Sequence, residues 1–433
     1  MKVDLNYKLL KLFRKIQDNR YYSQVINYDS LSIDNVYDTY LKLPVMGKSR
    51  VFDNIYAYLS LEFYDDCREY DLKKVFFDVE SISRNHDKVI QGIKQEWIIE
   101  FTTGSTGKPF PTVKTKADKV IESAYLLRQR KKYDHSITLE NGFKFLHSYQ
   151  PELLDIDIWK FNDSDMEKIV NGWIENKPKW MLATPKIYSK YASYINDRSI
   201  EVFNDNDLAF IEYTSQGILK EEEELIQKTY KCKMVNSFGA RECWNIAYEC
   251  KYGNLHLNNN YLHVDLVDMD NNIINEYEKE GNIIVTHFSN TTMPLIKYKF
   301  GDIAKKKKVI CKCGNESDVI EICKERDSSK LINTPYYGTS IFRRVMRGIY
   351  FHDYIADIKN ICVVQDGGYH LSVYVDKAIE NDIYFERRFY ERTKSIVDEI
   401  DKFTITFIYG SFFMPETANC KETIFKNMLH ITP

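Results

Sequence analysis

Glycine is scarce in this chain: 17 residues in 433, where ordinary usage of about 7% would supply roughly 30. Two glycines placed close together therefore need a reason. Proline is also rare, at 10 residues. Charge of one sign is not in excess, because 60 Lys and Arg stand against 63 Asp and Glu. A net charge of −3 provides no bulk field for a polyanion, so neither nucleic acid nor a membrane is expected as a partner. The first residues, MKVDLNYKLLKLFRKIQDNR, contain no long apolar run. Charges interrupt every such stretch, which excludes a signal-peptide or membrane-span pattern there and leads us to expect a cytoplasmic protein. Nine cysteines form an odd set without a secretory signal, pointing to reduced thiols or a metal site rather than a disulfide framework. The disorder signature is absent too, since hydrophobic residues make up 44% and aromatics 14% of the chain.

The length allows two to four domains at roughly 100–200 residues each. LNYKLLKLFRKIQ has apolar residues at helical spacing, and VFDNIYAYLSLEFYDD repeats the pattern less cleanly, with LPVMGKSR read as a loop between them. Short apolar runs then alternate with helical segments. EWIIEF, KWMLA, DLAFIEY and CKMVNSFGA read as strands, and KADKVIESAYLLRQRK and EEEELIQKTYK as helices, which implies an α/β sheet with crossover helices. Residues 261–303 are strand-rich with Asn, Asp and Gly turns, consistent with an added antiparallel β layer. The KKKK run at 305–308 reads as a solvated turn. Strands near NICVVQ, YHLSVYVD and FTITFIYG, with a helix near ERRFYERTKSIVDEI, give the remainder the size of a small α+β domain. We place the boundary near Ser328, giving a large α/β domain over 1–327 and a small mobile α+β domain over 328–433.

The sharpest local signal is EFTTGSTGKPFPT. Gly104 and Gly107 let backbone N–H groups turn toward an anion. Thr102, Thr103, Ser105 and Thr106 add hydroxyl donors, and Lys108 supplies a compact positive charge, a composition suited to phosphates. It is not a P-loop, which needs four residues between its glycines and Ser or Thr after the lysine. TTGSTGKP resembles the phosphate loop of the adenylate-forming (AMP-binding) enzymes, and three later segments resemble that family in the expected order. NSFGARE (236–242) is similar to the element that holds adenine and presents a magnesium-binding glutamate. MPLIKYKFGDIA (293–304) is similar to the corresponding segment of the phenylacetate-CoA ligase branch and its capsule-biosynthesis relatives. ERDSSKL (325–331) echoes the hinge, and LPVMGKSR resembles that branch's amino-terminal loop.

The resemblance implies an adenylate-forming enzyme fold and an ATP-dependent carboxylate ligase. Thr102 to Thr106 with Gly107 and Lys108 would hold the ATP phosphates while pyrophosphate leaves, a task of positioning and charge neutralisation. Glu242 would bind Mg2+, Phe238 and Gly239 would lie at adenine, and Asp302 would accept both ribose hydroxyls. Arg326 would add a contact from the hinge. Lys421, in MPETANCKETIF, sits where the family's catalytic lysine is expected, with Lys426 close by. Tyr149, Trp159, Ser215 and Gln216 are candidates for an acyl pocket that would take an aryl or arylacetic acid. The acceptor of the acyl group would be coenzyme A or another thiol; an amine is the second reading, and a non-catalytic nucleotide- or acyl-binding protein, serving as a partner or sensor, the third. A homodimer is the one protein partner expected.

Several positions depart from the family. Arg241 replaces the threonine before the glutamate and would place a cation beside the metal and α-phosphate. Phe110 stands where a lysine often closes the phosphate loop, Ser328 and Ser329 replace acidic hinge residues, and Lys297 and Lys299 replace arginines. A separate pattern, Cys250-x5-His256 followed by Cys311 and Cys313 in CKCG, offers three thiolates and an imidazole, the donor set of a closed structural zinc shell. Cys243 and Cys323 are possible substitutes within it.

Overall fold

The structure, a computed structural model, describes residues 2–67, 96–101, 110–145, 163–214, 218, 220–324, 361–367, 369–375, 383–394, 400–410 and 425–427. Helix α1 (Lys2–Lys15) follows from its pattern, because Leu9, Leu12, Phe13 and Ile16 recur on one face and all are buried. Two short helices follow, α2 (Tyr22–Val25) and α3 (Val36–Lys42). The LPVMGKSR segment is more ordered than the loop expected. Met46–Gly47 forms a short strand β1, and helix α4 (Lys48–Asp53) begins at once after it. The less regular VFDNIYAYLSLEFYDD pattern breaks into α4, α5 (Ile55–Tyr58) and α6 (Leu61–Asp66). Ser60 caps the last of these by accepting the Phe63 N–H at 3.2 Å.

A two-stranded antiparallel hairpin comes next, β2 (Trp97–Phe101) with β3 (Pro111–Thr115), registered from Trp97 opposite Thr115 to Phe101 opposite Pro111. Helix α7 (Lys116–Arg130) starts on a capping box in which Thr115 and Asp118 each satisfy the other's backbone N–H. Then the chain alternates as expected: β4 (Gly142–Lys144), α8 (Asp163–Asn176), β5 (Trp180–Ala183), α9 (Pro185–Asp197), β6 (Phe210–Tyr213), α10 (Lys220–Tyr230) and β7 (Met234–Ala240). Strands β4 to β7 pair in parallel.

From β7 onward the sheet changes sense, through β8 (Trp244–Glu249), β9 (Leu255–Leu257), β10 (Leu262–Val267), β11 (Ile273–Ile274), β12 (Glu280–His287), β13 (Tyr298–Lys307) and β14 (Val319–Lys324). These strands pair antiparallel. The antiparallel strands do not form a separate sheet, however. One hydrogen-bonded path runs β11-β10-β12-β13-β14-β9-β8-β7-β6-β5-β4, with β1 beside β13. Strand β7 is the joint: Met234 to Asn236 pair in parallel with β6, whereas Ser237 to Ala240 pair antiparallel with β8.

The lysine run is corrected likewise. Lys305 to Lys307 belong to β13 rather than a turn, and acidic neighbours accept them: Glu280 for Lys305 at 3.4 Å, Asp265 for Lys306 at 3.7 Å, and Glu321 for Lys307.

Burial follows two main clusters. Leu9, Phe13, Tyr22 and Tyr40 from the first helices join Leu262, Val285, Leu295 and Tyr298 of the antiparallel strands. Trp173, Met181, Tyr188, Ile211 and Tyr230 form a core around the parallel strands. Lys297, whose replacement of an arginine stood out in the sequence, donates to the Leu41 and Leu43 carbonyls at 3.0 and 2.7 Å, closing the end of α3. A separate, four-stranded sheet has the order β17-β16-β15-β18, made of β15 (Ile361–Gly367), β16 (His370–Val375), β17 (Thr404–Tyr409) and β18 (Phe425–Asn427). Helix α11 (Ile383–Lys394) packs Phe385 and Phe389 edge-on against Phe407 of β17. The boundary near Ser328 lies outside the described residues.

Candidate functional site

The β7–β8 hairpin builds the centre of the site. Ala240 opposes Trp244, leaving Arg241, Glu242 and Cys243 as a three-residue turn. Trp244 takes the left-handed conformation, with φ of 54°, at the position where such turns use a bulge. Gly239 is required by a close approach: a Cβ there would stand 2.0 Å from the Trp244 carbonyl oxygen. One scarce glycine is therefore spent on letting the two strands meet under Glu242.

Glu242 is buried, and its Oε1 accepts the Tyr298 hydroxyl at 3.1 Å. Tyr298 opens β13, so the MPLIKYKFGDIA segment and the NSFGARE segment meet in space. Phe110 stacks on the Tyr298 ring, centroids 6.0 Å apart, which gives it a packing role. Further along β13, Lys299 opposes Ile284 and Ile303 opposes Asn282. Three residues of one strand thus lie opposite one of the other, a bulge that holds Gly301 (φ 96°) and buried Asp302. Such bulges re-aim side chains and suit a site. Phe238 is half-buried on β7 against the larger core.

Arg241 is not a loose cation. Its guanidinium lies 3.2 Å from Glu100 of β2, and Glu100 also receives Lys114 of β3 at 3.3 Å and the Trp244 indole N–H at 2.5 Å. Lys114, fully buried, donates in addition to the Arg241 carbonyl at 2.5 Å. Burial pushes the Glu100 carboxyl upward, but Lys114 and Arg241 outweigh it and hold it at about 2. The sequence reading did not single out Glu100, Lys114 or Tyr298. Their partners lie 141, 127 and 56 residues away along the chain.

The four proposed metal ligands do converge. Their donor atoms all lie within 4.8 Å of one another, with Cys250 Sγ 3.6 Å from Cys311 Sγ and Cys313 Sγ 3.3 Å from His256 Nε2. A tetrahedral shell with Zn–S of about 2.3 Å places its sulfurs roughly 3.8 Å apart, so the spacing fits zinc. Two tight turns bring the ligands in: Cys250 follows β8, His256 sits in β9, and Cys311 and Cys313 precede β14, whose Val319 pairs with His256. The Ser317 carbonyl lies 3.2 Å from His256 Nδ1. A carbonyl only accepts, so Nδ1 carries the proton and Nε2 presents a lone pair to the thiols. Burial opposes the Cys311 thiolate, yet hydrogen bonds from the Cys313 backbone and the Asn254 amide hold the thiol below its ordinary range. Cys243 is buried in the core and Cys323 donates to the Glu321 carbonyl, so neither belongs to the cluster.

Other expected site residues, Thr102, Thr103, Gly104, Ser105, Thr106, Gly107, Lys108, Tyr149, Trp159, Ser215, Gln216, Arg326 and Lys421, lie outside the described residues. The structure does fix the two strands on either side of residues 102–109. Among the described residues no helix is long and apolar enough to cross a membrane.

By sequence, no family model and no curated protein matches the chain. By structure, it is similar to 2-hydroxyisobutyryl-CoA ligase in complex with 2-HIB-AMP and CoA in the thioesterification state: 11% identity, TM-score 0.59, covering 98% of this chain and 89% of that one. An open conformation of the same ligase, also with 2-HIB-AMP and CoA, gives 11% identity and a TM-score of 0.52 over 94% of this chain and 88% of that one. At such identity the likeness is one of fold, and this chain has the mixed α/β fold of that CoA ligase.

Proposed function

We propose that the protein activates a carboxylic acid with ATP and passes the acyl group to coenzyme A or another thiol. The observation that carries this reading is the meeting of Glu242 and Tyr298, which joins two of the motifs at a buried carboxylate within a ligase-type fold. In the first half-reaction a carboxylate oxygen would attack the α-phosphorus as the bond to the β-phosphate oxygen breaks, giving acyl-AMP and pyrophosphate. In the second, a thiolate would attack the acyl carbonyl and AMP would leave. Bound Mg2+ would neutralise phosphate charge, with Glu242 its candidate protein ligand; one of its oxygens is held by Tyr298. Asp302 would hold the ribose, Phe238 the adenine, and residues 102–108 the departing phosphates. Arg326 would add a contact from the hinge, and Lys421 would come from a small domain, 328–433, that rotates about Ser328 between the half-reactions.

The comparison ligase is described with 2-HIB-AMP and CoA together, which favours a thiol acceptor over an amine. The resemblance to the phenylacetate branch favours an aryl or arylacetic acid. Product analysis after incubation with ATP, Mg2+, a panel of acids and coenzyme A is expected to give AMP and a thioester. An amide formed with supplied amines would support the second acceptor, and nucleotide binding without AMP formation would support a binding protein.

Cys250, His256, Cys311 and Cys313 would hold one structural zinc, tying the β8–β9 turn to the β13–β14 connection. Elemental analysis is expected to find about one zinc per chain, and a strong chelator to lower the melting temperature as it removes the ion. Because the ligands must be thiolates, zinc release is expected to become easier as the pH falls. Fully folded, metal-free protein would contradict this assignment.

A further inference from the structure

We infer that Glu100 is a positioning residue that locks the hairpin flanking the phosphate loop to the turn carrying Glu242, an inference that rests on the ATP-dependent reading above. Three pieces of backbone converge on its carboxylate. Glu100 lies on β2, two residues before the chain enters 102–109. Lys114 lies on β3, where the chain has returned from that segment. Arg241 precedes Glu242, and Trp244 ends the same turn. Lys114 Nζ reaches Glu100 Oε2, the Thr112 hydroxyl and the Arg241 carbonyl, so a single ammonium spans both hairpins. The Trp244 ring has Lys114 and Lys119 ammonium groups each 4.4 Å from its centroid, while its N–H is held by Glu100.

Each contact restrains a degree of freedom the turn would otherwise have. Trp244 is held in a left-handed backbone conformation that a bulky residue adopts only when its surroundings fix it. Glu100, Lys119 and Lys114 grip its side chain, and Lys114 grips the turn's first carbonyl. The buried pair is arranged for geometry as much as for stability, since a buried ion pair is often replaceable by apolar groups without loss of stability. Its result is that the strands leading into and out of 102–109 and the Glu242 turn form one rigid unit. A metal shared between Glu242 and phosphate oxygens requires that registration, because such ligands act only when their supports hold them in place. Arg241, an apparent departure from the family, thereby becomes part of the support. Its charge is turned toward Glu100.

The test compares the wild type with Glu100→Gln, which keeps the shape and an acceptor for Trp244 but removes the charge that gathers Lys114 and Arg241. Three quantities are read on the full chain: ATP–pyrophosphate exchange as kcat and KM, the Mg2+ concentration for half-maximal exchange or ATP binding, and the melting temperature. Positioning predicts a kcat lower by roughly 10- to 100-fold and a raised Mg2+ requirement, with ATP KM changed far less. A purely structural role would lower the melting temperature and leave kcat and the Mg2+ requirement of the folded fraction unchanged, which would overturn the inference. Should Glu100→Gln not fold, Arg241→Gln, with a partly exposed side chain, provides the same reading. An unchanged Mg2+ requirement there would also overturn it. Failure of the underlying function looks different: the wild type itself would neither bind MgATP nor exchange pyrophosphate.

Discussion

Glu212→Ala is expected to cost the protein about 3–5 kcal/mol of stability, a large share of the roughly 5–15 kcal/mol usual for a folded chain. Glu212 of β6 and Arg130 of α7 form a bidentate pair at 2.7 and 3.0 Å, with side chains 1% and 4% exposed. The Tyr248 hydroxyl donates to Glu212 at 2.9 Å, and the guanidinium lies 4.0 Å above the centroid of Trp180. Burial disfavours the Arg130 charge, but Glu212 more than restores it, so the guanidinium stays protonated. Removing the carboxylate leaves that charge in an apolar site without a partner. Urea unfolding followed by circular dichroism measures the loss. Replacing both members, with Arg130→Met and Glu212→Leu, is expected to recover most of it, because the penalty lies in the unpaired charge. A loss below about 1 kcal/mol in the single variant would show the pair to be solvated and exposed in effect.

Gly239→Ala is expected to lower adenylation more than about 100-fold, the scale of loss for a displacement near 1 Å at a reacting centre. The added Cβ would meet the Trp244 carbonyl oxygen at 2.0 Å and its carbon at 2.8 Å. Both are backbone atoms, so no side chain can rotate away and the hairpin must open. Opening it shifts Arg241 and Glu242 relative to Glu100 and Tyr298. The stability cost is expected to be smaller, about 1–3 kcal/mol, as for other overpacked positions. Exchange kinetics alongside a thermal melt separate the two effects. Activity within a few-fold of wild type would mean that the turn carrying Glu242 has no part in the reaction.

What the sequence made legible was local. The α1 stripe of Leu9, Leu12, Phe13 and Ile16 and the strand runs of β5 to β7 each depend on neighbours within one turn or one pleat. The cysteine and histidine ligands were legible for another reason: residue type alone restricts their chemistry, and two short spacings bring each pair together. Contacts between distant segments were not legible. No periodicity announces that Tyr298 would hold Glu242, or that Glu100 would gather Lys114, Arg241 and Trp244. The lysine run shows the same limit from the other side. Four adjacent charges look solvated in a linear reading, yet Lys305, Lys306 and Lys307 find Glu280, Asp265 and Glu321 on neighbouring strands. Likewise the expected antiparallel layer was right in pairing, but its fusion to the parallel strands depends on β7 offering one half to each, a feature of tertiary register.

The central claim, that the chain forms acyl-AMP, is tested most directly by ATP–pyrophosphate exchange across a panel of aryl, arylacetic and short aliphatic acids, with wild type and Glu242→Gln in parallel. The expected result is exchange that depends on one class of acid and on Mg2+, and that falls by roughly 10- to 100-fold or more in Glu242→Gln. ATP binding by the wild type without exchange for any acid would contradict it.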